Sequence, residues 1–197
     1  MSTMEFLIIS IALTICNVGS IAWIFLQYMP RRLKTFSERQ ERWRQIDAIC
    51  LDVVTNTVVE KVAVFMLSNG GGEPLPGVQY YATSMVSQVS DIKEHHPPKF
   101  ERIELDEDYM MMIHKLKNVK RMAFIVDQMP YGLLRYVYEG EKVSFSEVHY
   151  LCSTHEATYY MSFSTYKDKH LQPAWGEMLR AVSSIKANLK AAYSGAK

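Results

Sequence analysis

The sequence of 197 residues is poor in cysteine, and this excludes two kinds of small domain. Its three cysteines, Cys16, Cys50 and Cys152, lie far apart, and no two have the C-x-x-C spacing of a zinc or redox site. An odd number of distant cysteines does not make a disulfide framework, and it fits a reducing compartment. We therefore expect neither a disulfide-stabilised domain nor a zinc-stabilised one.

An excess of charge of one sign is also missing. The formal net charge is +1, whereas a domain that binds nucleic acid through a basic surface carries a strong positive excess. The sequence therefore predicts no nucleic-acid partner.

Motifs of known chemistry are equally scarce. There is no G-x-x-x-x-G-K-[ST] phosphate loop, no G-x-S-x-G elbow and no H-E-x-x-H helix. The segment Gly70–Gly72 is followed by Glu73 and Pro74, which is typical of a turn. His95 and His96 are adjacent, and no further ligand stands at a regular spacing, so they do not predict a metal site. We expect no enzyme, no catalytic or metal-binding residue, and no assignable cofactor.

What the chain does contain is one long apolar run, from Phe6 to Met29, without Asp, Glu, Lys or Arg. A helix needs roughly 20 such residues to cross a bilayer. Trp23 and Tyr28 lie toward its end, where interfacial aromatic residues are expected. The alternative is a cleaved signal peptide, but no basic residue precedes the run and no A-x-A-like site follows it. Residues 1–30 are therefore predicted to be a transmembrane anchor.

Basic residues follow this segment and predict its orientation. Arg31 and Arg32 come directly after Pro30, and more basic residues follow up to Arg44. Positive flanks stay in the cytoplasm, so the C-terminal domain of this single-pass protein is expected at the cytoplasmic face of an inner or plasma membrane. The same residues lie where they would contact anionic headgroups.

Residues 31–56 are predicted to be a linking helix. Its apolar residues repeat at spacings of seven, three, four and three, an a/d-like seam formed by Phe36, Trp43, Ile46, Cys50 and Val53. Two interpretations remain open. The seam forms a short parallel coiled coil, which would make a homodimer, or it packs on its own domain.

Residues 57–197 are predicted to form one globular α+β domain. The expected elements are, in order, strands over 57–67 and 78–89, a helix over 106–117, a strand over 120–126, a helix over 131–138, strands over 143–152 and 157–166, and an amphipathic helix over 175–189. Adjacent strands at both ends favour one central antiparallel sheet of about five strands, flanked by helices.

The chain resembles a GAF-type domain in three features. They are this order of elements, the helix that leads straight into the first strand, and the segment VAVFMLSNGGGEPLPGVQYYATSMVSQ. GAF and PAS domains share this sensor architecture. The resemblance covers residues 46–189 and implies a sensory or regulatory fold, but it assigns no ligand-binding residue and no ligand.

The densest group of candidate ligand-binding residues lies on the last two predicted strands. Alternate residues of neighbouring strands share a face of the sheet, and in a GAF-like fold one face is the floor of a pocket. We therefore predict a small-molecule site that includes His149, Tyr150, Cys152, Tyr159 and Tyr160. The alternative is that the aromatic residues pack in the core while the histidines form local hydrogen bonds.

These observations predict a membrane-anchored, non-enzymatic sensory or regulatory domain that faces the cytoplasm. The alternative is a structural or interaction subunit of a membrane complex, such as one encoded by a phage or plasmid, that uses the fold as a scaffold for a protein partner without a ligand.

Overall fold

Antiparallel strand pairing organises the structure. The computed structural model describes residues 37–38, 40–69, 78–89, 102–154, 157–167 and 171–194. Within these ranges the strands are β1 (Lys61–Ser68), β2 (Tyr81–Val89), β3 (Ile103–Glu104), β4 (Arg121–Ile125), β5 (Phe145–Ser153) and β6 (Thr158–Thr165). They form one sheet in the order β3-β2-β1-β6-β5-β4, and every neighbouring pair is antiparallel.

The sheet has six strands, so the prediction of five is corrected. The additional strand, β3, consists of two residues that pair with Tyr81 and Ala82 of β2. Two residues are too few to show the alternation of apolar and polar residues that reveals a strand in a sequence. The first strand also begins later than predicted, at Lys61, because residues 57–60 form the turn that leaves the preceding helix.

In the part of the chain that the structure describes, four α-helices pack against this sheet. They are α1 (residues 40–56), α2 (Glu107–Val119), α3 (Leu133–Gly140) and α4 (Trp175–Ser194). Each lies close to a helix that the sequence predicts. The α+β class and the antiparallel sheet flanked by helices are therefore confirmed.

The central strands are buried on both faces of the sheet. Every residue of β6 is buried, as are most residues of β1, whereas the edge strand β4 alternates between exposed and half-buried residues. Helices α1 and α4 cover one face, called the α1/α4 face, and helices α2 and α3 cover the other, called the α2/α3 face.

On the α1/α4 face, helix α1 belongs to the core. Ile46, Cys50 and Val53 are at most 3% exposed, and they pack with residues of β1, β6 and α4. Trp43 packs partly against the same cluster. The four seam residues therefore contact their own domain, as the second interpretation predicted. Phe36, the remaining seam residue, lies outside the described residues, and a homodimer stays a prediction that needs other contacts.

On the α2/α3 face, one carboxylate holds the beginnings of two helices. Asp106 is the N-cap of α2, where its Oδ1 accepts a hydrogen bond of 2.8 Å from the amide of Tyr109. Its Oδ2 accepts a second bond, of 2.9 Å, from the amide of Leu133 at the start of α3. An unpaired amide at a helix N-terminus is well satisfied by a carboxylate. Asp106 therefore fixes α3 beside α2.

The chain divides into two compact units, Met1–Glu41 and Arg42–Lys197, and the second contains the sheet. Of the first unit the structure describes only residues 37, 38, 40 and 41, which are helical. Across the described ranges no helix is long and apolar enough to cross a membrane. The predicted anchor, residues 1–30 with Phe6, Trp23, Tyr28, and the basic pair Arg31 and Arg32 lie outside these ranges.

The burial of α1 makes a prediction about stability. Ile46→Ala removes a fully buried side chain, so we expect the free energy of unfolding to fall by about 2–5 kcal/mol. Leu51→Ala, at a position of the same helix that is 39% exposed, is the matched control and should cost less than about 1 kcal/mol. Denaturant unfolding of both variants measures the difference. Equal, small effects would show that α1 does not contribute to the domain core.

Candidate functional site

A small cavity lies between the sheet and the two helices of the α2/α3 face. Its floor is formed by β1 and β6, and α2, α3 and β3 contribute its walls and roof. The volume is about 20 Å³, which is room for one water molecule. The apolar part of the lining consists of Ala63, Phe65, Ala82, Ile103, Leu134, Val137 and Val143.

A buried ion pair forms one side of the cavity. Lys61, the first residue of β1, pairs with the carboxylate of Glu141, the residue that follows α3. The two side chains are only 10% and 12% exposed. A buried ammonium is costly unless an anion accompanies it, so the pairing with Glu141 offsets part of the cost of burying Lys61.

Hydroxyl groups line the cavity next to this ion pair. Ser164 Oγ donates to Ser146 Oγ at 3.0 Å, and Ser146 Oγ in turn donates to the Tyr138 hydroxyl at 3.1 Å. This chain of hydrogen bonds ties β6 and β5 to α3. Ser162 also lines the cavity, and its Oγ makes no hydrogen bond with any residue in the described ranges. Ser162 therefore presents a hydroxyl to the cavity.

Three tyrosines close the other side of the cavity, and burial dominates their acid–base behaviour. The hydroxyls of Tyr109 and Tyr160 form a short hydrogen bond with each other, and the Tyr160 ring stacks on Phe65 with the centroids 4.8 Å apart. Burial raises the pKa of Tyr138 to about 12 and also raises the pKa of Tyr109 and of Tyr160, because a buried phenolate loses its hydration. All three phenols are neutral at physiological pH.

The five residues predicted to form the ligand site divide between the two faces of the sheet. Tyr150 and Tyr160, which are directly opposite each other, lie on the α2/α3 face, and Tyr160 lines the cavity. Cys152 and Tyr159 are buried in the cluster of the α1/α4 face. His149 lies on that face as well, with its ring edge-on to Phe163 at 5.5 Å. The structure therefore brings one of the five, Tyr160, to the cavity.

An irregularity in β5 contributes to this division. The register with β6 shifts between Tyr150 and Cys152, so that both Leu151 and Cys152 pack into the cluster of the α1/α4 face. One extra residue in a strand breaks the simple alternation on which the sequence argument depended. Tyr150 itself lies away from the cavity, where its hydroxyl donates to Ser153 Oγ at 3.0 Å and Lys120 Nζ lies 4.6 Å from the ring centroid.

His149 instead belongs to a polar cluster beneath α4. Its Nε2 lies 2.7 Å from Glu147 Oε1, and both side chains are almost fully buried. Arg121 Nε lies 3.7 Å from the same carboxylate oxygen, while the guanidinium stacks on the Trp175 ring at 4.0 Å. The cluster pairs its own charges and joins β4, β5 and the start of α4.

Neither described cysteine has the properties of a nucleophile. Burial, and secondarily the charge of Asp47, raises the pKa of Cys50 to about 12. Burial also raises the pKa of Cys152, against the opposing effect of Lys190 and Lys186. Thiols in such surroundings stay protonated at neutral pH. In the described ranges, no group of three or more His, Cys, Asp and Glu residues is placed to hold a metal ion, while His95 and His96 lie outside those ranges.

Sequence reasoning missed most of the polar residues that line the cavity, namely Lys61, Glu141, Ser162, Ser164 and the hydroxyls of Tyr109 and Tyr138. The sequence contains two weak indications of these polar residues. A lysine begins the otherwise apolar strand KVAVFML, and serine recurs at every second position in MSFS of β6. Period-2 serines in a strand predict one polar face, but only the fold shows that this face is covered.

Comparison with known proteins identifies the fold. No protein-family model and no curated protein matches the sequence. Among solved structures, the phycoerythrobilin-bound GAF domain from a cyanobacterial phytochrome superposes with a TM-score of 0.57 and 12% identity, over 84% of this chain and 95% of that chain. The GAF domain of a two-component sensor histidine kinase from Bacillus halodurans gives 0.53 and 8%, over 78% and 97%.

A GAF domain region of a Geobacter sulfurreducens PCA protein gives a TM-score of 0.54 and 7% identity, over 80% of this chain and 98% of that chain. These likenesses extend over most of each chain. At such low identities they establish the fold and nothing about a ligand. The chain has the fold of GAF domains, as the sequence resemblance predicted.

The raised tyrosine pKa values predict loss of stability in alkali. An acid whose pKa is higher in the folded state than in the unfolded state binds more protons when folded, so stability is complete below about pH 10 and falls as the pH rises above it. We expect tyrosinate absorbance of these residues to appear together with unfolding. Tyr138→Phe should make the decline with pH shallower. A decline as steep as that of the wild type would contradict the assignment.

Proposed function

We propose that this chain is a membrane-tethered, non-enzymatic sensory or regulatory domain that faces the cytoplasm. One observation carries the sensory part of the proposal: a buried ion pair, apolar side chains and a serine hydroxyl that makes no hydrogen bond in the described ranges converge on one small cavity. Pockets that bind small molecules combine apolar walls with a few well-placed polar groups in this way. The GAF folds of a phytochrome and of a sensor histidine kinase support the same class of function.

The size of the cavity restricts what the proposed sensor would bind. Pockets for drug-sized ligands measure roughly 300–1,000 Å³, whereas this cavity measures about 20 Å³. Phycoerythrobilin, which is bound to the phytochrome GAF domain, is far too large for a cavity of this volume. We therefore propose a much smaller ligand, whose entry needs only a displacement of α3.

A second candidate function is an interaction subunit of a membrane complex. The observation that favours it is on the outer side of α3, where Tyr131 and Tyr136 are 85% and 75% exposed and Arg135 lies 4.2 Å from the centroid of the Tyr131 ring. Tyrosine and arginine are enriched among the residues that dominate binding energy in protein interfaces. A protein partner that binds this surface would contact the roof of the cavity.

Native mass spectrometry of the full-length protein, with a denatured control, tests the sensory proposal. We expect a small molecule that is released on denaturation, and a dimer mass if the homodimer exists. Ala63→Val should abolish the bound mass because the added methyl groups fill the cavity, and Ala48→Val on the exposed side of α1 should not. A bare chain that co-purifies with a second protein would favour the interaction subunit instead.

Membrane attachment is tested with two charges in the predicted anchor. Leu13→Arg with Val18→Arg places two guanidinium groups in the apolar run, each costing about 2.5–3.5 kcal/mol at the centre of a membrane helix. We expect the wild type to remain in the membrane pellet after alkaline carbonate extraction and this variant to appear in the supernatant. Leu13→Ala with Val18→Ala is the control and should stay in the pellet. Protease added outside sealed cells should leave the domain intact, and its digestion would contradict the cytoplasmic orientation.

A further inference from the structure

The ion pair between Lys61 and Glu141 indicates which chemical class of ligand the cavity would take. Glu141 contributes a carboxylate on a short aliphatic stem, and this carboxylate is the anion that accompanies the buried Lys61 ammonium. The position is therefore already built around a carboxylate with a few apolar carbons. We propose that the cavity binds a short-chain aliphatic monocarboxylate, whose carboxylate takes the place of Glu141 on Lys61. This inference rests on the sensory function proposed above.

Glu141 is suited to being displaced because of where it stands. It is the C-cap residue of α3, and its amide donates to the carbonyl oxygens of Val137 and Glu139. The carbonyl groups at a helix C-terminus give that end a partial negative charge, which disfavours a carboxylate there. The next residue, Lys142, has a φ of 58°, so the chain turns sharply away from the helix. The Glu141 carboxylate therefore points toward the cavity because the Lys61 ammonium attracts it, and not because the end of the helix favours a negative charge there.

The remaining groups around Lys61 fit the two ends of such a ligand. The Ser162 hydroxyl lines the cavity and makes no hydrogen bond within the described residues, so it is available to a second carboxylate oxygen. The hydroxyls of Ser146 and Ser164 donate within their own chain of hydrogen bonds. Beyond them the lining is apolar, with Phe65, Leu134 and others, and would accept a short hydrocarbon tail.

Binding would leave the charge of the cavity unchanged. One carboxylate replaces another on the same ammonium, while the Glu141 carboxylate moves into water, where an unpaired charge is well solvated. Displacement of Glu141 removes the link between the C-terminal end of α3 and β1, while Tyr138 stays bonded to Ser146 and the N-terminal end stays bound to Asp106. A change in the position of α3 would therefore signal that the ligand is bound.

The test uses propionate as the probe and the full-length protein in mild detergent, with thermal unfolding and titration calorimetry as readouts. Glu141→Ala removes the Glu141 carboxylate from the ion pair with Lys61 and should lower the midpoint of unfolding. Propionate should restore it, whereas propionamide and an equal concentration of chloride should not. The wild type should also bind propionate, with an affinity about tenfold or more lower, because the tethered Glu141 competes at a high effective concentration.

A double variant, Lys61→Met with Glu141→Ala, keeps the test interpretable because it removes both charges of this ion pair together. We expect it to fold and to be insensitive to propionate. Three results would each overturn the inference. Propionate could stabilise the double variant, or propionamide could stabilise Glu141→Ala as much as propionate does. The third is that propionate binds to Glu141→Ala and does not bind to the wild type. If propionate fails while native mass spectra show another molecule in the cavity, the sensory function stands and only the ligand class is wrong.

Discussion

The burial of β1 and β6 on both faces is the constraint on which the rest of the structure depends. A sheet whose central strands have no exposed face needs helices on both sides, and the chain provides α1 and α4 for one face and α2 and α3 for the other. It also favours a partner inside the protein for the polar side chains on those strands. Lys61 pairs with Glu141 of the roof, and Ser164 of β6 donates to Ser146 of β5. The polar character of the cavity therefore follows from the sheet.

Both faces of the sheet meet this constraint with contacts between different elements. On the α1/α4 face, His149, Glu147 and Arg121 contact one another, and the Gln88 amide of β2 donates to the Asp47 carboxylate of α1. On the α2/α3 face, Glu141 and Tyr138 of the roof contact Lys61 and Ser146 of the floor. Because contacts of the second face include residues that line the cavity, we place the proposed sensory site on that face.

The sequence predicts the fold better than the site, and particular residues show why. The helices and the long strands have clear periodicity, and the seam of Ile46, Cys50 and Val53 predicts that one side of α1 is buried, although not which partner covers it. The two-residue strand β3 has no period to detect. The predicted site residues divide between the two faces because neighbouring residues of a strand point to opposite faces, and a register shift after Tyr150 also moves Cys152 to the α1/α4 face. Lys61 and Glu141 lie far apart in the sequence, and a pair of opposite charges at that distance gives no signal until the fold brings them together.

Asp106 fixes one end of α3, so the helix can tilt about that end. The helix has 8 residues, so it is about 12 Å long, and a rotation of about 10° around its Asp106 end would move the Glu141 end by about 2 Å. Because α2 begins at the same carboxylate, this pivot is fixed to the longer helix and through it to the sheet. The exposed ring of Tyr131 lies near the fixed end of α3, and the exposed ring of Tyr136 lies in the middle of the helix. A small displacement inside the domain would thus be converted into a change of angle on its surface.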